Sequence, residues 1–366
     1  MPGVAFRLET TEEKRNGEVL HPNFSMDGSR CSLDGSLERF FCWTVAVVLA
    51  VMVAMPTQRA FAGVMVLVGE PFGPFGTMMP VGHTAVYLDR VCADGPLKLR
   101  LCEPGEPQGV VIARYHRVGK IDWIASPVME FLYASERAED IPTFVTQDLA
   151  WERRQRYRRQ YLSEMVPDGT EKDKQTDEWW ESAGVAFNRR VWGYGLETSR
   201  EQDERFVATM NARPNVHAYA VRKRNCANFA ADMVNLYFPG TVEVDKWADF
   251  GLMTPKQVAR SVAAYGEAHP EAGLRVVEVP QIPGTLRRSR PVRGTAEAGL
   301  KTKRYLVTLL MIQPEVVAGC AIAYLKHGRW KVGDGAVVAE PELFQGSMQS
   351  AAVGGAGVAG GRGALR

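Results

Sequence analysis

Cys226 and His83 are the residues whose types and surroundings allow chemistry. Cys226 follows Asn225 and opens the run Cys-Ala-Asn-Phe-Ala-Ala-Asp-Met-Val-Asn-Leu-Tyr-Phe238, with Phe229, Met233, Leu236 and Tyr237 at helical spacing. Asn225 suits an N-cap and Pro239-Gly240 a stop, so the cysteine begins a helix. Unsatisfied N–H groups at a helix start favour the thiolate, the form that acts as a nucleophile. Arg222, Lys223 and Arg224, just upstream, add potential of the same sign.

A thiol nucleophile also needs a base. His83 lies in Val81–Leu88 (VGHTAVYL), whose alternation predicts a strand with Val81, His83, Ala85 and Tyr87 on one face, turned toward the core and the cysteine helix. On Pro96–Glu103, the expected antiparallel neighbour, Glu103 is the polar residue on the apolar face and a candidate to orient the imidazole, with His116 as its rival. Backbone N–H groups at the start of the helix would form an oxyanion site. Against this stands a plain packing role, since isolated strand histidines and helix cysteines are often core residues.

The elements around these residues follow from pattern. Gly109–Tyr115 predicts a third strand, Asn215–Val221 a short one, and Thr254-Pro255 a helix start with cap and N1 proline in order. Cys92 and Cys102 flank Asp94-Gly95-Pro96, turn chemistry that suits a disulfide-closed hairpin. Residues 136–205 are charged and helix-favouring and are expected to form a helical insertion whose Trp179, Trp180 and Trp192 shape a substrate groove, touch a membrane or pack inside.

In the first 62 residues, uncharged Phe40–Met55 follows Arg30 and Arg39 and precedes Ala60-Phe61-Ala62, the layout of a signal peptide, with a membrane anchor as the alternative. Met26 would be a more usual start for such a segment. Residues 63–275 are expected to form the main domain and 276–304 a basic, proline-containing linker. The apolar run 305–325 is either an anchor or a buried helix, and 326–366 a mostly disordered tail.

Of 366 residues, 44 are basic and 42 acidic, so net charge gives no sign of nucleic-acid binding. No Cys-x-x-Cys or His-x-x-x-His spacing marks a metal site, and no phosphate loop marks a nucleotide cofactor. No cofactor is therefore expected.

Gly82-His83 on an early strand, followed later by Asn225-Cys226-Ala-Asn-Phe229 opening a helix, resembles the circularly permuted papain-like superfamily, including lecithin retinol acyltransferase relatives. Gly-His-Thr-Ala-Val-Tyr-Leu is also similar to the histidine strand of NlpC-type cell-wall peptidases. The likeness covers about 20 of the 366 residues. It departs from the family in the long stretch between histidine and cysteine and in lacking a second histidine on the next strand. It implies an α+β fold, a small antiparallel sheet packed on the cysteine helix. The activity implied is that of an exported thiol hydrolase or acyltransferase of the periplasm or cell envelope, acting on cell-wall peptides or lipid acyl groups. The alternative is a non-catalytic, envelope-anchored binding or scaffolding protein with the same fold.

Overall fold

The computed structural model describes residues 63–344, except 74–75, 77–79, 105, 107–108, 117, 119–120, 167–177, 217–218 and 247–248. The expected leader (1–62) and the end of the tail (345–366) lie outside the described residues.

The fold is α+β, built on a seven-stranded mixed sheet. Strand β1 (Gly63–Gly69) sits near its middle, and its sequence GVMVLVG is buried throughout. Such a strand is covered on both faces, so its residues are continuously apolar instead of alternating. It pairs antiparallel with β2 (His83–Leu88) on one side and β7 (Val191–Glu197) on the other. Beyond β2 come β5 (Val110–Ala113) and β6 (Ile124–Pro127), and beyond β7 come β8 (Arg275–Val279) and β9 (Val337–Val338). Only the β8–β9 pair is parallel among these.

Several expectations are corrected by this topology. The sheet is larger than a small antiparallel one and is mixed. Residues 96–103 do not pair with the histidine strand, because the chain reverses at Asp89-Arg90. Here β3 (Val91–Ala93) and β4 (Leu99–Leu101) form a separate hairpin, closed by the expected Cys92–Cys102 disulfide. Among the described residues of 215–221 there is no strand, only a bridge between Ala220 and Arg224.

The stretch 136–205 is not purely helical. It contributes β7 to the sheet, where Gly193 lets Met65 and Val277 close in from both neighbouring strands. Trp179 and Trp192 are buried. The residues expected as a linker include most of β8, and their loop packs on the domain, with Ser289 Oγ donating to Glu70 Oε2 at 2.6 Å.

The sheet separates two apolar clusters. Val64, Val66, Val86, Leu88, Val110 and Ile112 face one, covered by the helices Cys226–Tyr237 and Pro255–Ala268. Met65, Leu67, Ala85, Tyr87, Val111 and Ala113 face the other, covered by the helices Val128–Tyr133, Gln147–Tyr161 and Val185–Asn188. With the helix Arg200–Ala212 added, these are in chain order α1 (Val128–Tyr133), α2 (Gln147–Tyr161), α3 (Val185–Asn188), α4 (Arg200–Ala212), α5 (Cys226–Tyr237) and α6 (Pro255–Ala268).

The apolar run 305–325 is broken at Gln313-Pro314 into α8 (Lys303–Ile312) and α9 (Pro314–Ala323), which follow α7 (Thr295–Lys301). Proline fits the first turn of a helix but not its interior, so the chain stops and restarts there. Among the described residues no helix is long and apolar enough to cross a membrane.

Candidate functional site

Cys226 is the first residue of α5, as its cap predicts. Asn225 Oδ1 accepts from the Asn228 N–H at 2.8 Å, and Asn228 Oδ1 accepts from the Asn225 N–H at 3.2 Å, a reciprocal capping box. Asn225 Nδ2 donates to Val221 O and Met253 O, tying the helix start to two loops. Beneath it, Arg114 and Asp122 form a buried ion pair at 2.5 Å, and the Arg114 guanidinium lies over the Phe229 ring.

The Cys226 sulfur is held by backbone hydrogen bonds from Thr84 and Ala227. Thr84 directly follows His83, so the sulfur is seated on the histidine strand itself. Burial nonetheless raises the thiol's pKa, overriding the two amides that favour the thiolate, and Glu181 and Glu178 push the same way. Arg222, Lys223 and Arg224, expected to favour the thiolate, are exposed to solvent.

His83 begins β2 just after Gly82, whose φ of 81° lies in the left-handed region and whose missing Cβ makes room for the Gly69 carbonyl. Alternation along β2 directs Thr84, Val86 and Leu88 toward α5 and leaves His83 with Ala85 and Tyr87 on the opposite face. This corrects the expectation that the imidazole faces the cysteine helix. Its ring stacks on Tyr115, with centroids 5.1 Å apart and planes at 13°. Nε2 is buried without a hydrogen-bond partner, so no hydrogen bond joins it to the sulfur. Burial lowers the imidazole pKa to about 4, Glu181 opposing and Arg189 adding to the fall, so the ring is neutral near pH 7.

Glu103 lies on the exposed loop after β4, where its N–H donates to Glu106, and Glu106 forks onto Arg100. The carboxylate acting on His83 is instead Glu181. It sits in a short 3₁₀ turn (Glu178–Ser182), paired with the buried Arg189. Burial would raise the Glu181 carboxyl, but Arg189 and His83 together hold it below its usual range. The backbone carbonyl of Glu181 also accepts from Tyr115 Oη at 3.2 Å, fixing the ring on which His83 stacks. Sequence gave no local sign of Glu181, about 100 positions downstream in a charged stretch.

His116, the rival for the orienting role, is half-buried. Its N–H donates to Glu178 Oε2 at 2.7 Å, its Nδ1 lies 3.8 Å from Glu178 Oε1, and its ring packs on Tyr219. Cys226 in turn helps to raise the Tyr219 phenol, so the His116–Tyr219 pair borders the thiol.

Among the described residues, Cys92, Cys102 and Glu106 bring ligand-type atoms together, but the disulfide occupies both sulfurs. Clefts of about 230 and 450 Å³ lie elsewhere, the first lined by basic residues near α8 and the second by Asp140 and by Glu152, Arg153, Arg156 and Arg159 of α2. Compared with known families, curated proteins and solved structures, the chain matches none.

Proposed function

We propose that the protein is a thiol hydrolase or acyltransferase of permuted papain-like type, with Cys226 as nucleophile and His83 as base. The observation that carries this reading is the seat of the sulfur: a helix-opening cysteine held on the amide next to the strand histidine. The step requires the His83 ring, which makes no hydrogen bond to the sulfur at rest, to come within reach of it: the sulfur then attacks an amide or ester carbonyl while its proton passes to Nε2 of His83. The imidazolium then protonates the departing amine or alkoxide, leaving an acyl thioester that water or an amine resolves. Glu181, steadied by Arg189, takes the electrostatic role given to Glu103 from sequence, and the Ala227 N–H is a candidate oxyanion donor. The closed disulfide suits an oxidising, exported compartment, where cell-wall peptides or lipid acyl groups are the substrates.

Both groups rest neutral, so the pair works by proton transfer during attack and not as a standing thiolate–imidazolium pair. The test is acylation by an activated ester such as p-nitrophenyl acetate, followed by mass spectrometry of the intact chain. An acyl group on Cys226, absent from Cys226→Ser and formed roughly 10²-fold or more slowly in His83→Asn, is expected. Acylation at equal rates in His83→Asn would remove the base from the mechanism.

The raised thiol and the unengaged Nε2 favour a second reading, a binding or scaffolding protein with the same fold. It requires that no acyl group forms on Cys226 with the activated ester, in wild type as in His83→Asn.

A further inference from the structure

The C-terminal helical pair leaves an unusual amount of apolar surface open. Val307, Leu310 and Met311 on α8 follow each other at i, i+3 and i+4 and are 56%, 51% and 82% exposed. Ile322 on α9 and Leu325 just beyond it are each 55% exposed. Both helices pack their inner sides on α7, with Cys320 and Ala323 buried against Ala296, so the open stripes lie on the outer side of one hairpin. A surface of this kind on a folded domain marks an interaction site.

Three observations choose the occupant. First, lysines flank the apolar stripes: Lys303 lies one turn before Val307, and Lys326 follows Leu325. Second, a cleft of about 230 Å³ opens at the start of α8, lined by Arg290, Arg293, Lys301 and Lys303 and by no carboxylate. Lys301 is already engaged by Glu297 at 2.6 Å and by the Tyr324 ring, and Arg293 lies 3.5 Å from Thr302 Oγ1. Arg290 and Lys303 therefore supply most of the charge available to an incoming anion. Third, each helix is ten residues long, about 15 Å, half the ~30 Å hydrocarbon thickness of a bilayer.

We propose that this hairpin lies in the interface of a bilayer containing anionic phospholipid. Its outer stripe enters the acyl-chain boundary, and the basic cleft takes a lipid phosphate. The in-plane orientation follows from the turn, because Gln313 and Glu315 at its tip would be costly at depth but can remain among headgroups. The proposal is independent of the thiol chemistry and stands or falls separately from it.

The test is hydrogen–deuterium exchange of the full chain with vesicles of phosphatidylcholine alone and of phosphatidylcholine with phosphatidylglycerol. Exchange is local, so a contribution of Phe40–Met55 to vesicle binding does not mask the result. Slower exchange across 303–325 is expected with the anionic vesicles and should fade as salt is raised. The double variant L310E/M311E should bind more than about tenfold more weakly. R290E/K303E should lose the preference for anionic lipid. These side chains are exposed, so circular dichroism should report an unchanged fold.

Unchanged exchange in this segment would overturn the proposal. So would a concentration-dependent dimer abolished by L310E/M311E without lipid protection, which would make the face a contact between copies. Protection by inorganic phosphate equal to that by anionic vesicles would also overturn it, leaving a free-phosphate cleft.

Discussion

The two faces of the sheet are built from different materials. Toward α5 and α6 the sheet contacts are mainly aliphatic and aromatic: Val86, Leu88 and Ile112 meet Phe229, Met233 and Val258, with the Arg114–Asp122 pair at the start of α5. Toward α1, α2 and α3 the core includes the buried charges Glu130, Arg154, Arg158 and Arg189, with Glu181 part-buried beside them. Arg154 alone donates to Ala183 O, Gly184 O and Asn188 Oδ1. On the first face shape and burial position the body of the cysteine helix, while the Arg114–Asp122 pair and the Asn225 hydrogen bonds hold its start. The charged face needs its partners complete, and it sets the protonation of His83.

Of the changes considered below, breaking the Glu181–Arg189 pair on the second face should cost most. Arg189→Met leaves the Glu181 carboxylate without its main counter-charge, and removing one member of a buried pair typically costs about 3–5 kcal/mol. Urea unfolding checks this, and a loss below about 1 kcal/mol would show that water or Arg154 replaces the guanidinium. The same variant should let the Glu181 carboxyl rise, and the His83 imidazole with it, because Arg189 lowers both.

The charged face also carries two pH dependences of opposite sign. Burial raises the Glu130 carboxyl to about 7, Arg156 only partly offsetting it. The folded chain thus holds this proton more tightly than the unfolded one. The associated stability is complete below about pH 4.5 and is lost as pH rises through about 7, a span worth roughly 3 kcal/mol. Glu130→Gln should flatten that decline.

His83 behaves in reverse, because its folded pKa is depressed to about 4. Its stability is present above about pH 6.5 and is lost as pH falls through about 4, again roughly 3 kcal/mol. His83→Gln should remove this acid limb in denaturant titrations between pH 4 and 7. An unchanged limb would mean that the imidazole reaches water.

On the apolar face the disulfide hairpin offers a milder test. Val91 and Leu99 pack into the α5 cluster, and the ten-residue separation of Cys92 and Cys102 predicts about 2–3 kcal/mol from loop closure. Reduction should lower the thermal midpoint without altering the pH limbs of the other face. A change in those limbs would show that the two faces are coupled.

The apolar face was also the more legible in sequence. Asn225, Pro239-Gly240 and Thr254-Pro255 mark their helix ends by local chemistry, and the structure has α5 at Cys226–Tyr237 and α6 at Pro255–Ala268. The turn between Cys92 and Cys102 was equally local. By contrast, β1 shows no alternation because both its faces are covered, and it follows a proposed cleavage point. β7 lies within a charged stretch with glycines at 193 and 195, and β8 is followed closely by prolines, so neither has a clear strand signature. The site divides in the same way. Cys226 and His83 are marked by their own elements, whereas Glu181 and Arg189 acquire meaning only when α3 and the preceding turn fold onto the far side of β2.

The smallest expected effect is at the cap of α5, where structure and chemistry can be separated. Asn225→Ala removes the acceptor for the Asn228 N–H and the donor to Val221 and Met253, and loss of such a cap costs about 1 kcal/mol, up to about 2. Asn225→Asp keeps the acceptor, so more of that stability should survive, although the bonds to Val221 and Met253 are lost. The new carboxylate, on the residue next to Cys226, opposes ionisation of its thiol. If the helix start governs the thiol, alkylation by iodoacetamide should move to higher pH in Asn225→Asp than in wild type. If the two profiles coincide, burial alone governs the thiol, and the helix terminus positions the sulfur without activating it.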